Sequence, residues 1–297
     1  MNDGDPSVVT DRIHARCEKR TTPCGDGRMV WRIWGDGEPV VFLHGGSGSW
    51  THWIRNLPAF EDKYRLYVAD IPGFGDSDLA PREYDVDRLP ESTDHLAEIV
   101  CQGLAELLPP PARYHLVGFS FGSVMGGYVA RREGARLASF TLIGAAALGV
   151  PWPGLTNALR TAKEGMSREE VMDVQRYNLN AIMMATPPAD IDDYAVWLQM
   201  ENVRRARMRS HVVAGTDTLS QTLPDIVAPM TVIWGAEDVF AKPGLADRQA
   251  VFRSVQPDVA IHLLDDVGHW AMYEAAEPVN DLLQDVLKRY AIRGDDE

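Results

Sequence analysis

Apolar positions along this 297-residue chain fall into two rhythms. Short runs rich in β-branched and aromatic residues stand at Met29–Trp34, Val40–Leu43, Tyr64–Ala69, Tyr114–Phe119, Ser139–Gly144, Met230–Trp234 and Ala260–Leu264. Runs of this length and composition predict buried strands. Between them lie stretches with helical spacing, such as Asp94–Leu108, which is stopped by Pro109-Pro110-Pro111. Strands alternating with helices predict an α/β fold, a mainly parallel sheet with helices on both faces and right-handed crossovers. The alternation breaks from about Leu148 to Thr222, where Pro, Met and Arg are frequent and the spacing is helical throughout.

The run Tyr114–Val117 leads into Gly118-Phe119-Ser120-Phe121-Gly122, followed by a helix with small residues at Ser123, Gly126, Gly127 and Ala130. A strand feeding Gly-x-Ser-x-Gly and then a helix is a nucleophile elbow. The serine must take a strained strand-to-helix turn, so its neighbours must be nearly free of side chains. In return, Oγ is pushed out above the sheet and the helix N-terminus points at the charge that develops there.

A serine hydroxyl needs a base to take its proton and a carboxylate to orient that base. Strand Met230–Trp234 ends in Gly235-Ala236-Glu237-Asp238, and strand Ala260–Leu264 ends in Asp265-Asp266-Val267-Gly268-His269-Trp270. Both candidates therefore follow C-terminal strand ends, the edge where open α/β sheets gather their sites. His269 is expected as the base, ahead of His44 in a glycine loop and His115 inside a strand. Asp238 is expected as the acid, ahead of Glu237 next to it. Asp265 and Asp266 fit a solvated turn, and Asp70 precedes the serine within a turn motif.

Val40–Leu43 runs into His44-Gly45-Gly46-Ser47-Gly48. Acyl transfer needs two backbone N–H donors aimed at the oxyanion, and Phe121 supplies the one after the nucleophile. Gly46 is the expected second donor, with Ser47 as the alternative. A phosphate-cradling loop is disfavoured, because no Gly-Lys-Ser/Thr follows and the G-x-G-x-x-G spacing is missing.

With His44-Gly45-Gly46, Asp70–Asp78, Gly118–Gly122, Gly235–Asp238 and Gly268-His269-Trp270 in this order, the chain resembles the α/β-hydrolase superfamily over nearly its whole length. The resemblance implies a hydrolase core at 1–147 and 223–297, with 148–222 inserted as a helical cap over the strand ends. It implies a substrate pocket between cap and core, for which Trp50, Phe119, Met184, Trp197 and Trp270 are the candidates. It implies no metal and no cofactor. Ester, thioester or lactone hydrolysis ranks first. Second is C–C bond hydrolysis of 2-hydroxy-6-oxo-dienoates, whose enzymes share the His-Gly-Gly loop, the Trp after the histidine and cap arginines. Among Arg204, Arg205, Arg207 and Arg209, one would then clamp the substrate carboxylate. Such enzymes commonly carry Asn before the nucleophile, where Phe119 stands here. A triad-bearing ligand receptor is the remote third reading.

Net charge of −14 disfavours nucleic acid and anionic membrane surfaces as partners. Apolar residues make up 45% of the chain, enough for a core on both faces of a sheet. An acidic N-terminus without an apolar run, and three cysteines (Cys17, Cys24, Cys101) without metal or disulfide spacing, predict a cytoplasmic protein. A small molecule is the expected partner, and homo-oligomerisation stays open.

Overall fold

The computed structural model describes residues 6–242 and 244–292. Its strands are β1 (Glu18–Cys24), β2 (Gly27–Trp34), β3 (Glu38–Leu43), β4 (Tyr64–Asp70), β5 (Tyr114–Phe119), β6 (Leu137–Ile143), β7 (Met230–Gly235) and β8 (Ala260–Leu264). They form one sheet in the order β1-β2-β4-β3-β5-β6-β7-β8. β2 pairs antiparallel with β1 and β4, and every later pairing is parallel.

The strand missing from the sequence-based expectation is β1. Its residues Glu18-Lys19-Arg20-Thr21-Thr22-Pro23-Cys24 bury only Thr22 and Cys24. Charged, solvent-facing side chains and a proline are what keep a sheet edge from pairing further, and they also erase its apolar signature.

The helices are α1 (Pro6–His14), α2 (Leu57–Phe60), α3 (Leu89–Leu107), α4 (Phe121–Glu133), α5 (Arg168–Ile182), α6 (Asp193–Arg205), α7 (Leu245–Val255), α8 (Ala271–Glu274) and α9 (Ala276–Arg289). α3 starts earlier than the expected Asp94, with Pro90 in its first turn, where a missing N–H is harmless. It ends before the three prolines, as expected.

Strand alternation divides the core into two layers. Val41 and Leu43 of β3 join one cluster with Leu96, Val124, Phe140 and Trp234. Val40 and Phe42 join the other, with Trp53, Trp270, Tyr273 and Leu283. Both faces of the sheet are thus covered, the condition for a parallel sheet.

Residues 148–222 hold α5, α6 and short 3-10 turns, and no strand. Ser167 and Glu170 cap α5 reciprocally, and the Asp192 carboxylate accepts from the Ala195 amide to cap α6. The segment rests on the C-terminal strand edge. The Trp270 amide donates to Met183 O at 2.6 Å, and the Ala185 and Thr186 amides donate to the Glu274 carboxylate. Among the described residues, no helix is long and apolar enough to cross a membrane.

Candidate active site

Ser120 follows the last residue of β5 with φ of 50° and ψ of −115°, a backbone state that L-residues avoid. Its amide donates to Ile143 O at 2.8 Å, which ties the turn to β6. The flanking glycines are forced by contact. A Cβ at Gly118 would lie 2.5 Å from Gly122 O, and one at Gly122 would lie 2.2 Å from Leu43 O. The elbow therefore packs backbone on backbone.

His269, between β8 and α8, donates from Nδ1 to Asp238 Oδ2 at 2.7 Å. Its Nε2 accepts from Ser120 Oγ at 2.9 Å. Asp238 is fully buried, and its other oxygen accepts from the Phe240 amide at 2.9 Å. Glu237 points outward instead and pairs with Lys242. The imidazole lies between two aromatic rings, Phe240 at 4.6 Å and Phe119 at 5.0 Å between centroids. Gly144, at the end of β6, leaves room for it, since a Cβ there would stand 3.0 Å from His269 Cε1.

The other histidines and Asp70 are occupied elsewhere. His44 accepts from the Ile71 amide through Nε2 at 3.0 Å and contacts Gly45 O through Nδ1 at 2.7 Å, so it braces the glycine loop. His115 bridges Ser139 and Glu38. Asp70 binds the Arg32 guanidinium at 2.7 Å and the Trp50 amide at 2.9 Å. His52 escaped the sequence reading. Its Nδ1 accepts from the Gly45 amide at 3.2 Å, and its ring fills the space between Phe119 and Trp270. Burial pushes its pKa well below the usual histidine value, and His44 is lowered for the same reason.

A cavity of about 350 Å³ opens onto Ser120 and His269. Phe119, Phe121, Val124, Met183, Val213 and Phe240 give it an apolar wall, with Gly46 and Ser47 at one side. The described residues offer no hydrogen-bond acceptor to the Gly46, Ser47 or Phe121 amides. Of the five expected pocket residues, only Phe119 lines this cavity. Trp50 and Trp197 line a separate polar recess beside Arg32, and Met184 is buried in the core cluster, bordering a different recess near Glu237. Trp270 is fully buried, donates to His52 O at 3.1 Å and stacks on Tyr273. These four side chains had the right chemistry, but their packing turns them away.

The four arginines are also absent from the Ser120 cavity. Arg204 pairs with Glu201, Arg205 with Asp76, and the Arg207 guanidinium donates to Ser77 O. Arg209 lines a larger recess of about 1010 Å³ against residues 79–95, and that recess does not reach Ser120. Volume therefore does not locate the chemistry. Among the described residues, no cluster of three or more His, Cys, Asp or Glu is arranged to hold a metal.

The family model described as "Alpha/beta hydrolase family" matches residues 40–282, most of the chain and every strand from β4 to β8. The chain belongs to this family. It is 27% identical over 271 residues to a 2-hydroxy-6-oxononadienedioate/2-hydroxy-6-oxononatrienedioate hydrolase of a Pseudomonas species, covering 86% of this chain and 90% of that protein. It is 26% identical to the dihydrolipoyllysine-residue acetyltransferase component of an acetoin cleaving system from Pseudomonas putida. There the match covers 86% of this chain but only 64% of the longer protein. A solved thermophilic esterase from Thermogutta terrifontis shares the fold, with a TM-score of 0.67 at 19% identity, covering 93% of this chain and 99% of the other.

Proposed function

We propose that this α/β-hydrolase cleaves carboxylic esters through an acyl-enzyme on Ser120. The observation that carries the reading is the hydrogen-bonded line Asp238–His269–Ser120 at the floor of an apolar cavity. His269 Nε2 takes the hydroxyl proton as Ser120 Oγ attacks the ester carbonyl. The carbonyl oxygen becomes an oxyanion, held by the amides of Phe121 and Gly46. Collapse breaks the bond to the alkoxy group, which leaves as the alcohol with the proton from His269. Water then attacks the acyl-enzyme with His269 again as base, and the acid departs from a regenerated serine. Asp238 holds the imidazole in the Nδ1–H tautomer and stabilises its charged form. Residues 148–222 act as a cap that excludes bulk water from these steps.

A second reading, C–C hydrolysis of 2-hydroxy-6-oxo-dienoates, has the dioate hydrolase relative in its favour. Its substrates carry carboxylates, however, and among the described residues no lysine or arginine lines the Ser120 cavity. Phe119 also offers no hydrogen bond beside the nucleophile. Burying a carboxylate without a cationic partner is costly, and His211, the one further histidine lining the cavity among the described residues, is exposed, so the mostly apolar wall favours a neutral ester.

A fluorophosphonate probe tests the nucleophile directly. Peptide mapping should find the label on Ser120, and Ser120→Ala should lose both label and ester turnover. Comparing p-nitrophenyl butyrate with a 2-hydroxy-6-oxo-dienoate then separates the two readings. Faster cleavage of the dienoate would reverse their order.

A further inference from the structure

Beyond Ser120 and His269, the cavity is lined by four polar side chains: Ser47 and His211 stand at its accessible edge, while Gln199 and Ser210 are buried with polar atoms that have no partner among the described residues. Gln199, on α6, is 9% exposed, and its Oε1 is buried and unbonded. Ser210, which opens the next 3-10 turn, is 2% exposed, with its Oγ likewise unbonded. Native proteins seldom leave such groups unpaired, because burial strips their water without replacement. An apolar residue at either place would have served an apolar substrate better. On α6 the neighbouring Ala195, Val196 and Leu198 are buried, so Gln199 interrupts a packed stripe rather than a wet face.

Position adds direction to this. Ser210 Oγ would stand only 2.4 Å from a Cβ at Gly46, so it lies against the backbone of the loop expected to hold the oxyanion. Whatever it bonds must therefore sit close to the reacting carbonyl. Both groups line the same cavity, and their chemistry suits a single partner there: Oε1 of an amide accepts only, while a serine hydroxyl both donates and accepts. A substrate hydroxyl matches both, donating to Gln199 and accepting from Ser210. A carboxylate does not, because it has no hydrogen for Oε1. With the amide turned over, its NH₂ would pair with a hydroxyl oxygen or a carboxylate alike, and there the largely apolar wall is what disfavours the anion.

We infer that Gln199 and Ser210 form a polar subsite that selects esters carrying a neutral hydroxyl within two carbons of the scissile carbonyl. This inference rests on the ester-hydrolase reading for its placement of the carbonyl. The substrate class is then a short hydroxyacyl ester, apolar elsewhere, and the products are a hydroxy acid and an alcohol.

The test compares ethyl butyrate with ethyl 2-hydroxybutyrate and ethyl 3-hydroxybutyrate. The parent protein should prefer one hydroxylated ester at least about tenfold in kcat/KM, since a site built to bond a hydroxyl rejects the analogue without it. Ser210→Ala and Gln199→Leu should each cut that ratio by about tenfold. Gln199→Met, close in volume, replaces the leucine variant if that one fails to fold. A ratio near one in the parent overturns the inference. So does a ratio unchanged in both variants, because Ser210 would then support the oxyanion of every ester alike. The same esters are titrated onto Ser120→Ala protein by calorimetry, which needs no turnover. About tenfold tighter binding of the hydroxylated ester supports the subsite, and equal binding overturns it. If the parent hydrolyses no ester, the reaction assignment fails and the binding arm still decides the subsite.

Discussion

The Phe119 ring lies 5.0 Å from the His269 imidazole, tilted by 44°, so the residue just before Ser120 forms a wall for that imidazole. Phe119 is 1% exposed and also packs edge-on against His52 at 5.3 Å. Its ring touches Gly45 closely enough that a Cβ there would lie 2.7 Å from Cδ1. One side chain therefore spaces the glycine loop, the base and His52 together. Phe119→Asn should cost about 3 kcal/mol of stability, the scale of losing a buried aromatic ring. Urea unfolding measures it. A variant as stable as the parent would mean that the ring carries none of this spacing.

The choice between two adjacent acids is equally open to measurement. Asp238 accepts from His269 and from the Phe240 amide, while Glu237 reaches out to Lys242. Asp238→Asn should keep the far-ultraviolet dichroism of the parent yet lower kcat roughly 10³- to 10⁴-fold, because the imidazole adopts the wrong tautomer. Glu237→Gln should stay within about threefold of the parent, as surface changes usually do. The reverse pattern would move the acid to Glu237.

Much of this site was legible in the sequence because it rests on backbone. The elbow glycines, the turn after β7 and the loop after β3 each leave a local motif, and the strand ends bring those motifs to one edge of the sheet. Pocket walls are different. Trp50, Met184, Trp197 and Trp270 are apolar residues at plausible places, but which way each turns depends on packing between distant segments. Trp270 is the clearest case, since its indole N–H is tied to His52 O, 218 positions away. Gln199 did leave a signal, a polar residue inside the buried stripe of α6. Ser210 left none, because nothing local distinguishes it from any loop serine. β1 was invisible for the opposite reason, having too few buried positions to show a period.

Two buried histidines make stability depend on pH. His44 and His52 accept backbone N–H bonds through a ring nitrogen, a role open only to the neutral ring. Burial lowers both pKa values from the usual 6.5, that of His52 most. Below that value the unfolded chain binds protons that the folded chain refuses, so stability falls as pH falls. The stabilisation is complete above it and is lost on acidification. Each histidine adds a slope of up to about 1.4 kcal/mol per pH unit. Urea unfolding between about pH 7.5 and pH 5 should show the decline, and His52→Gln should flatten it. Stability that is level or rising toward pH 5 would contradict a neutral, buried His52.

The arginines near the end of α6 offer the sharpest separation of neutral from carboxylate substrates. Arg204 and Arg205 spend their guanidinium groups on Glu201 and Asp76, at exposed positions where ion pairs contribute little. Arg207 holds the turn after β4 through both ends, its amide donating to Gly73 O at 2.9 Å and its guanidinium to Ser77 O. Arg209 faces the recess away from Ser120. None of the four has a path to a substrate in the cavity without breaking its present contacts or moving the chain around it. Alanine at each position, tested singly, should therefore leave kcat/KM for p-nitrophenyl butyrate within about threefold. The same variants are assayed with the monoanionic p-nitrophenyl ester of succinate. A carboxylate clamp would show as a rise in KM of about tenfold or more for that ester alone, the worth of a hydrogen bond to a charged group. The expected result is no such selective rise at any of the four, with the succinate ester a poor substrate of the parent throughout. A selective rise at one position would identify the clamp and return C–C hydrolysis of dienoates to first place.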